Sequence, residues 1–221
     1  MQRTPEPELM DTPEQAQAYA TADFSEAHEA FVTYFGEKFP DFVQGSVLDM
    51  GCGAADVTIR FARAYPELNL LGVDGAAAML EVGMHAVRDS GMAERIYLEQ
   101  HYLPDAALAE EKFDAVISNS LLHHLDDPLV LWQTVQAVAK PGAPVLVMDL
   151  MRPASVVEAM QLVGKYAASA SPLLQSDYYH SLLAAYQVQE VKKQLYKADL
   201  DHFQVEMVSD RHILVWGKMD V

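Results

Sequence analysis

A single cysteine, Cys52, stands among 221 residues, so the chain can close no disulfide within itself and a reducing, cytoplasmic setting is expected. Positive charge is scarce: 15 Lys and Arg face 32 Asp and Glu, for a formal net charge of −17. The one basic doublet, Lys192-Lys193, suits a solvated helix face. A nucleic-acid or anionic-membrane partner selects a basic patch, so neither is expected here. No apolar run approaches the ~20 residues of a membrane span. No secretory pattern opens the chain either, since its first ten residues hold Arg3, Glu6, Glu8 and two prolines. Internal repeats and low-complexity tracts are absent. With 51% hydrophobic and 21% charged residues, the chain reads as a globular domain with an elaboration or lid.

What is present concentrates in Val47-Leu48-Asp49-Met50-Gly51-Cys52-Gly53-Ala54-Ala55-Asp56-Val57. A short apolar run breaks into glycines and resumes with helical spacing at Val57, Phe61 and Ala64, which predicts strand, tight turn and helix. Glycine admits the positive φ such turns need and lets a ligand approach the backbone. Two ligand classes use this device. The dinucleotide fingerprint wants a small residue where Asp56 stands, and a carboxylate there repels a pyrophosphate. The pattern acidic-x-G-x-G-x-small is met in full by Asp49, Gly51, Gly53 and Ala55.

The next apolar run, residues 69–74, ends in Asp74, 21 positions after Gly53. That is close to the ~20 expected of an acid that accepts from ribose hydroxyls. The alternative is a helix cap, because Gly75-Ala76 opens another helix. Met79 on that helix either touches an adenine or belongs to the core. A third strand is predicted over residues 95–99, followed by Gln100-His101-Tyr102. A fourth, Phe113 to Ser120, carries Asn119 and Ser120 at its carboxyl end. Leu122-His123-His124-Leu125 then leads to a helix capped by Asp127, with Leu131, Val135 and Val138 as its buried stripe and Lys140-Pro141-Gly142 as its stop.

Asp49, Gly51 and Gly53, with their sequels, resemble motif I of the class I S-adenosylmethionine (SAM)-dependent methyltransferases. The string from Phe113-Asp114 through the His pair to Lys140-Pro141-Gly142 is similar to small-molecule methyltransferases of the ubiquinone/menaquinone-biosynthesis type. The resemblance implies an α/β fold: a doubly wound, Rossmann-like seven-stranded sheet, mostly parallel, with an antiparallel C-terminal hairpin and helical lid elements. It implies SAM as cofactor, S-adenosylhomocysteine as product, and a small-molecule methyl acceptor. Asp49, Gly51, Cys52 and Gly53 would shape the methionine end of the pocket and Asp74 with Gly75 the ribose end. Met79, His101 and Tyr102 would lie near the adenine, and Asn119 and Ser120 along the wall near the methyl group. Relatives commonly carry an Asp after the third strand; Glu99, Gln100 and His101 stand there instead, so a backbone amide at His101 or Tyr102 would serve.

Residues 1–44 are expected as lid helices, 45–150 as the SAM-binding core, 151–187 as a helical substrate cap, and 188–221 as a last helix and hairpin. Residues 1–10 read as a frayed end. Thr12, Pro13 and Gln15 start one helix, and residues 25–39 form a second. Tyr19, Asp23, Phe24 and His28 are lid candidates, with packing as the competing reading for Tyr19 and Asp23. The cap carries Tyr166, Tyr178, Tyr179, His180 and Tyr186, which either enclose an apolar acceptor or pack on themselves or a partner subunit; a homodimer is one such arrangement. For a base, His124, His123 and Tyr179 are candidates. No metal is expected, because adjacent His side chains diverge on a helix and no Cys or further His completes a zinc spacing. Two other functions share the scaffold: a SAM-binding regulatory subunit that transfers nothing, and a nicotinamide-dependent reductase, against which Asp56 argues.

Overall fold

The computed structural model describes residues 1–6 and 11–220. The strands are β1 (Gln44–Met50), β2 (Glu67–Asp74), β3 (Ile96–Gln100), β4 (Ala115–Asn119), β5 (Pro144–Leu150), β6 (Gln204–Met207) and β7 (His212–Lys218). They form one seven-stranded sheet in the order β3-β2-β1-β4-β5-β7-β6. Pairings from β3 across to β5 are parallel, and β7 runs antiparallel to both β5 and β6. The chain order reverses beside β1, which pairs with both β2 and β4. At such a point neighbouring crossovers leave in opposite directions and open a crevice at the strands' carboxyl ends.

The helices are α1 (Pro13–Thr21), α2 (Ser25–Lys38), α3 (Asp56–Ala64), α4 (Ala77–Ser90), α5 (Leu129–Val138), α6 (Val156–Tyr166), α7 (Pro172–Ala184) and α8 (Val188–Lys197). Alternation along the strands sorts the core into two layers. Leu48, Val116, Val145 and Val215 face α5 and α8, whose Trp132, Val135 and Val191 they meet. Val47, Ala115, Leu146 and Leu214 face Phe31 and Phe35 of α2 and Phe61 of α3. Burying each such aromatic contributes roughly 2–3 kcal/mol, so α2 is anchored on the sheet by its phenylalanines.

Several details differ from expectation. The third strand sits one residue later, at Ile96–Gln100. On α3, Val57 and Phe61 are buried, but Ala64 is exposed and Ile59 and Ala62 complete the apolar face. The larger correction is at the amino end. Residues 1–6 are not frayed: they dock as a strap across the carboxyl side of the sheet (7–10 lie outside the described residues). Thr4 donates its N–H to the Leu183 carbonyl at 3.0 Å. Arg3 donates to the carbonyls of Ala184, His123 and Leu125, and its guanidinium lies 4.3 Å from the Tyr186 ring centre. One guanidinium thus satisfies three backbone acceptors that hydrophobic patterning cannot display.

Candidate cofactor and acceptor site

The turn after β1 is pinned to β2 by one carbonyl. Gly51 and Cys52 both donate their N–H to Val73 O, at 2.8 and 3.1 Å. Gly51, Gly53 and Ala55 all have positive φ, at 73, 52 and 65°. A Cβ on Gly51 would come within 2.8 Å of Leu121, whereas one on Gly53 would meet nothing within 4 Å. Gly51 is therefore required by packing as well as by conformation, and Gly53 by conformation and by the open space it leaves.

Asp74 sits at the tip of β2, and its carboxylate is held at both oxygens. Gly53 donates its N–H to Oδ2 at 2.9 Å and Ala76 donates to Oδ1 at 2.8 Å. The N-cap of α4 is Ala76, without a side-chain cap, so Asp74 is not the helix cap; its two bonds instead aim a rigid carboxylate over the glycine turn. Burial raises its pKa, opposed by those two N–H donors and by the nearby His124. Asp49 is 1% exposed and accepts from the Thr58 hydroxyl at 2.6 Å. Burial pushes its pKa up to about 7 in spite of that hydrogen bond, with the Asp74 charge adding to the rise.

Across the crevice, Asn119 ends β4. Its Oδ1 is buried and has no hydrogen-bond partner among the described residues. Ser120 follows with φ 60° and donates its N–H to Met148 O. Next comes a 3-10 turn, Leu122–His124. Asp149 of β5 orders it: Oδ2 accepts the Leu122 N–H at 2.7 Å and Oδ1 meets His123 Nδ1 at 2.6 Å. Burial opposes charge on His123, but Asp149 outweighs it and Glu6 adds, so its pKa is raised. His124 stacks beside it, ring centres 4.1 Å apart, and its Nδ1 lies 2.5 Å from Glu6 Oε2. The expectation that adjacent His rings diverge is overturned. Their partners aim the rings: His123 is turned to Asp149 and His124 to Glu6, which leaves the two side by side.

The remaining sequence candidates scatter. Cys52 turns its side chain to β2, where a Cβ on Gly72 would meet its Cβ and Sγ at 3.0 Å; only its backbone faces the turn's interior. Gly75 offers its carbonyl to Gln100 Nε2 at 2.8 Å. Met79 is buried with Ala16, Ala54 and Ala76, beneath Tyr19. Tyr19 stacks on Phe24 at 4.7 Å, and its hydroxyl's pKa is pushed up to about 12 by burial, then by Asp56, Asp74 and Asp149. Asp23 accepts from the Ser25 N–H and hydroxyl at the start of α2. His28 pairs with Asp56 at 2.6 Å. His101 bridges Glu99 at 3.2 Å and Asp105 at 2.9 Å, and Tyr102 is 61% exposed. Asp105 is the acid folded back toward the end of β3, four residues past His101, and the sequence reading missed it. Tyr179 lies away from the His pair, in a crevice of ≈ 380 Å³ between α6 and α7 lined by Met160, Val163, Gln175 and Ser176. Glu6 was also missed, since nothing local in residues 1–6 signals that they reach the site.

A family model described as a methyltransferase domain matches residues 47–142. The ubiquinone biosynthesis O-methyltransferase of Histophilus somni is 26% identical over 71% of this chain and 67% of its own length. The demethylmenaquinone methyltransferase of Porphyromonas gingivalis is 30% identical over 52% of this chain and 47% of its own. An uncharacterised Synechococcus protein is 34% identical over 41% of this chain, which spans only 22% of that protein. Against those three relatives the chain thus covers 22%, 47% and 67% of the partner's length. A SAM-dependent methyltransferase from Aquifex aeolicus superposes with a TM-score of 0.68 at 16% identity, covering 94% of this chain and 98% of that one. The plantazolicin methyltransferase bound to S-adenosylhomocysteine gives 0.68 at 13% identity, covering 95% and 91%. Residues 47–142 thus match a methyltransferase domain, and the whole chain shares its fold with SAM-dependent methyltransferases of solved structure.

Proposed function

We propose that the protein transfers a methyl group from SAM to a small-molecule acceptor. The observation that carries this is the Asp74 carboxylate, held by Gly53 and Ala76 over a glycine turn that is itself fixed to Val73. Each carboxylate oxygen keeps acceptor capacity for one hydroxyl of a cis-diol. The donor set fits the rest of SAM as well. The unpartnered Asn119 Oδ1 and the buried Asp49 supply acceptors on either side of the turn, suited to an ammonium group. When bound, SAM supplies a methyl group already activated on a sulfonium.

The protein's part is alignment, exclusion of water and proton handling. Gly51, Cys52 and Gly53 present backbone to the methionine end. Gly75, Met79, His101 and Tyr102 border the adenine end, with Asp105 fixing the His101 ring. Ser120 and Tyr19 close the wall near the methyl. His124, backed by Glu6, holds the position of a base. His123 positions that turn, because its Nδ1 is committed to Asp149. Tyr179 serves the acceptor crevice and touches no reacting atom.

Two relatives are named for ubiquinone biosynthesis and demethylmenaquinone. Those names support a quinone-type ring as the first acceptor class to assay. The division into 1–44, 45–150, 151–187 and 188–221 follows the same logic, with the first and third segments enclosing the acceptor. A single cysteine supports a cytoplasmic setting, and no described helix is long and apolar enough to cross a membrane. Exposed Val157, Met160 and Leu173 support a homodimer through the α6–α7 face.

Asp74→Ala tests the reading. SAM binding should weaken by roughly tenfold to a hundredfold, the loss of hydrogen bonds to a charged group, with the cooperative melt retained. Wild-type affinity in that variant would remove the ribose assignment. Transfer of labelled methyl to hydroquinones, phenols or amines tests the reaction itself.

A further inference from the structure

We propose that Glu6, His123 and His124 form a binding site for a divalent first-row transition-metal ion on the acceptor side of the crevice. One donor atom from each lies within 4.8 Å of the other two. A dication with bonds of about 2.0–2.2 Å to nitrogen and oxygen holds ligand atoms at most about 4.4 Å apart, so the three side chains need only small adjustments to meet one. The two stacked imidazoles and one carboxylate are the donor types that zinc, iron, cobalt and nickel accept; Mg²⁺ and Ca²⁺ prefer oxygen throughout.

What surrounds the three donors sets them apart from a simple ion pair. A metal-ligating His commonly gives its second ring nitrogen to a carboxylate, which fixes the tautomer and aims the free nitrogen. Asp149 does this to His123: at 2.6 Å it holds Nδ1, so Nε2 is left for an ion. Asp149 is in turn held by the Leu122 N–H, and Glu6 Oε1 accepts from the Ser181 hydroxyl. The charge balance points the same way. Asp177 feels Glu6 and keeps a buried, unpartnered Oδ2 among the described residues. Arg3, the cation nearest this cluster in sequence to Glu6, spends its donors on backbone carbonyls. The site gathers the Glu6, Asp149 and Asp177 carboxylates around two imidazoles, against the single fixed cation of Arg3 at the His123 carbonyl. Three protein ligands leave coordination positions open, where an acceptor's hydroxyl or thiol would bind and ionise more readily.

The experiment needs no SAM, so its failure would leave the methyl-transfer reading intact. Untagged, chelator-treated protein is titrated with Zn²⁺ by calorimetry and with Co²⁺ by visible absorption. Expected are one ion per chain with a micromolar or tighter dissociation constant, and a Co²⁺ ligand-field spectrum. Glu6→Gln and His124→Gln should each weaken binding at least about tenfold, while His202→Gln leaves it unchanged. If one variant fails to fold, the other and the Co²⁺ spectrum of the wild type carry the test. Absence of Zn²⁺ binding below millimolar concentrations, or equal affinity in wild type and the folded variants, would overturn the site and leave Glu6–His124 as a plain ion pair.

Discussion

Asp49 shows how a buried carboxylate is kept at a cost to stability. Its folded pKa of about 7 lies above the ~3.9 of an unfolded Asp. The fold favours the protonated form, so its contribution is present in full below ~3.9 and is lost as pH rises through about 7. Asp49→Asn should therefore be more stable than wild type at pH 8 by roughly 1–3 kcal/mol, with the gap closing toward pH 4, and should bind SAM less tightly. Denaturant melts at the two pH values check this; an equal gap at both would remove the assignment. Gly51 makes a second residue-scale case. Its φ of 73° and the 2.8 Å approach of Leu121 make Gly51→Ala strained twice over. A loss of about 1–3 kcal/mol in a chemical melt is expected. Both residues were legible, because an acid and glycines at fixed spacing after an apolar run report backbone geometry directly. The Cys52 side chain was not, since the strand's final twist decides which way it points.

At the scale of elements, the amino-terminal strap and the C-terminal hairpin each carry a test. Arg3 closes three carbonyls on two separate segments, so Arg3→Ala leaves buried acceptors unpaired. It should cost about 1–3 kcal/mol and speed amide exchange at the carboxyl end of α7 and around Leu122–His124. Unchanged exchange there would mean the strap does not hold them. In the hairpin, His212 is buried, and that burial, with Arg211 beside it, lowers its pKa to about 4. Unfolded His titrates near 6.5, so this contribution is present above ~6.5 and is lost as pH falls through about 4. His212→Gln should flatten the acid limb of the stability profile by roughly 1–3 kcal/mol; an unaltered limb would contradict the burial argument. The hairpin was expected from the resemblance, and β6 and β7 flank Ser209-Asp210-Arg211. The strap was not, because its bonds run from side chains to backbone carbonyls more than a hundred residues away. The His pair was misread for a related reason: its rings are aimed by carboxylates distant in sequence, Asp149 and Glu6, which local spacing does not display.

For the whole molecule, strand order β3-β2-β1-β4-β5-β7-β6 places every glycine-turn and β4-end residue at one crevice. A doubly wound, mostly parallel seven-stranded sheet with an antiparallel hairpin was expected from the resemblance, whereas strand alternation alone leaves open which neighbours pair. Charge also acts at this scale. A net −17 should repel polyanions, so no salt-dependent DNA retention is expected. The central claim is that this crevice binds SAM, and calorimetric titration with SAM and, separately, with S-adenosylhomocysteine tests it most directly. The structure predicts a single site for each in the micromolar range, about −8 kcal/mol. Folded protein that releases no heat and shows no thermal shift with either ligand would contradict the account.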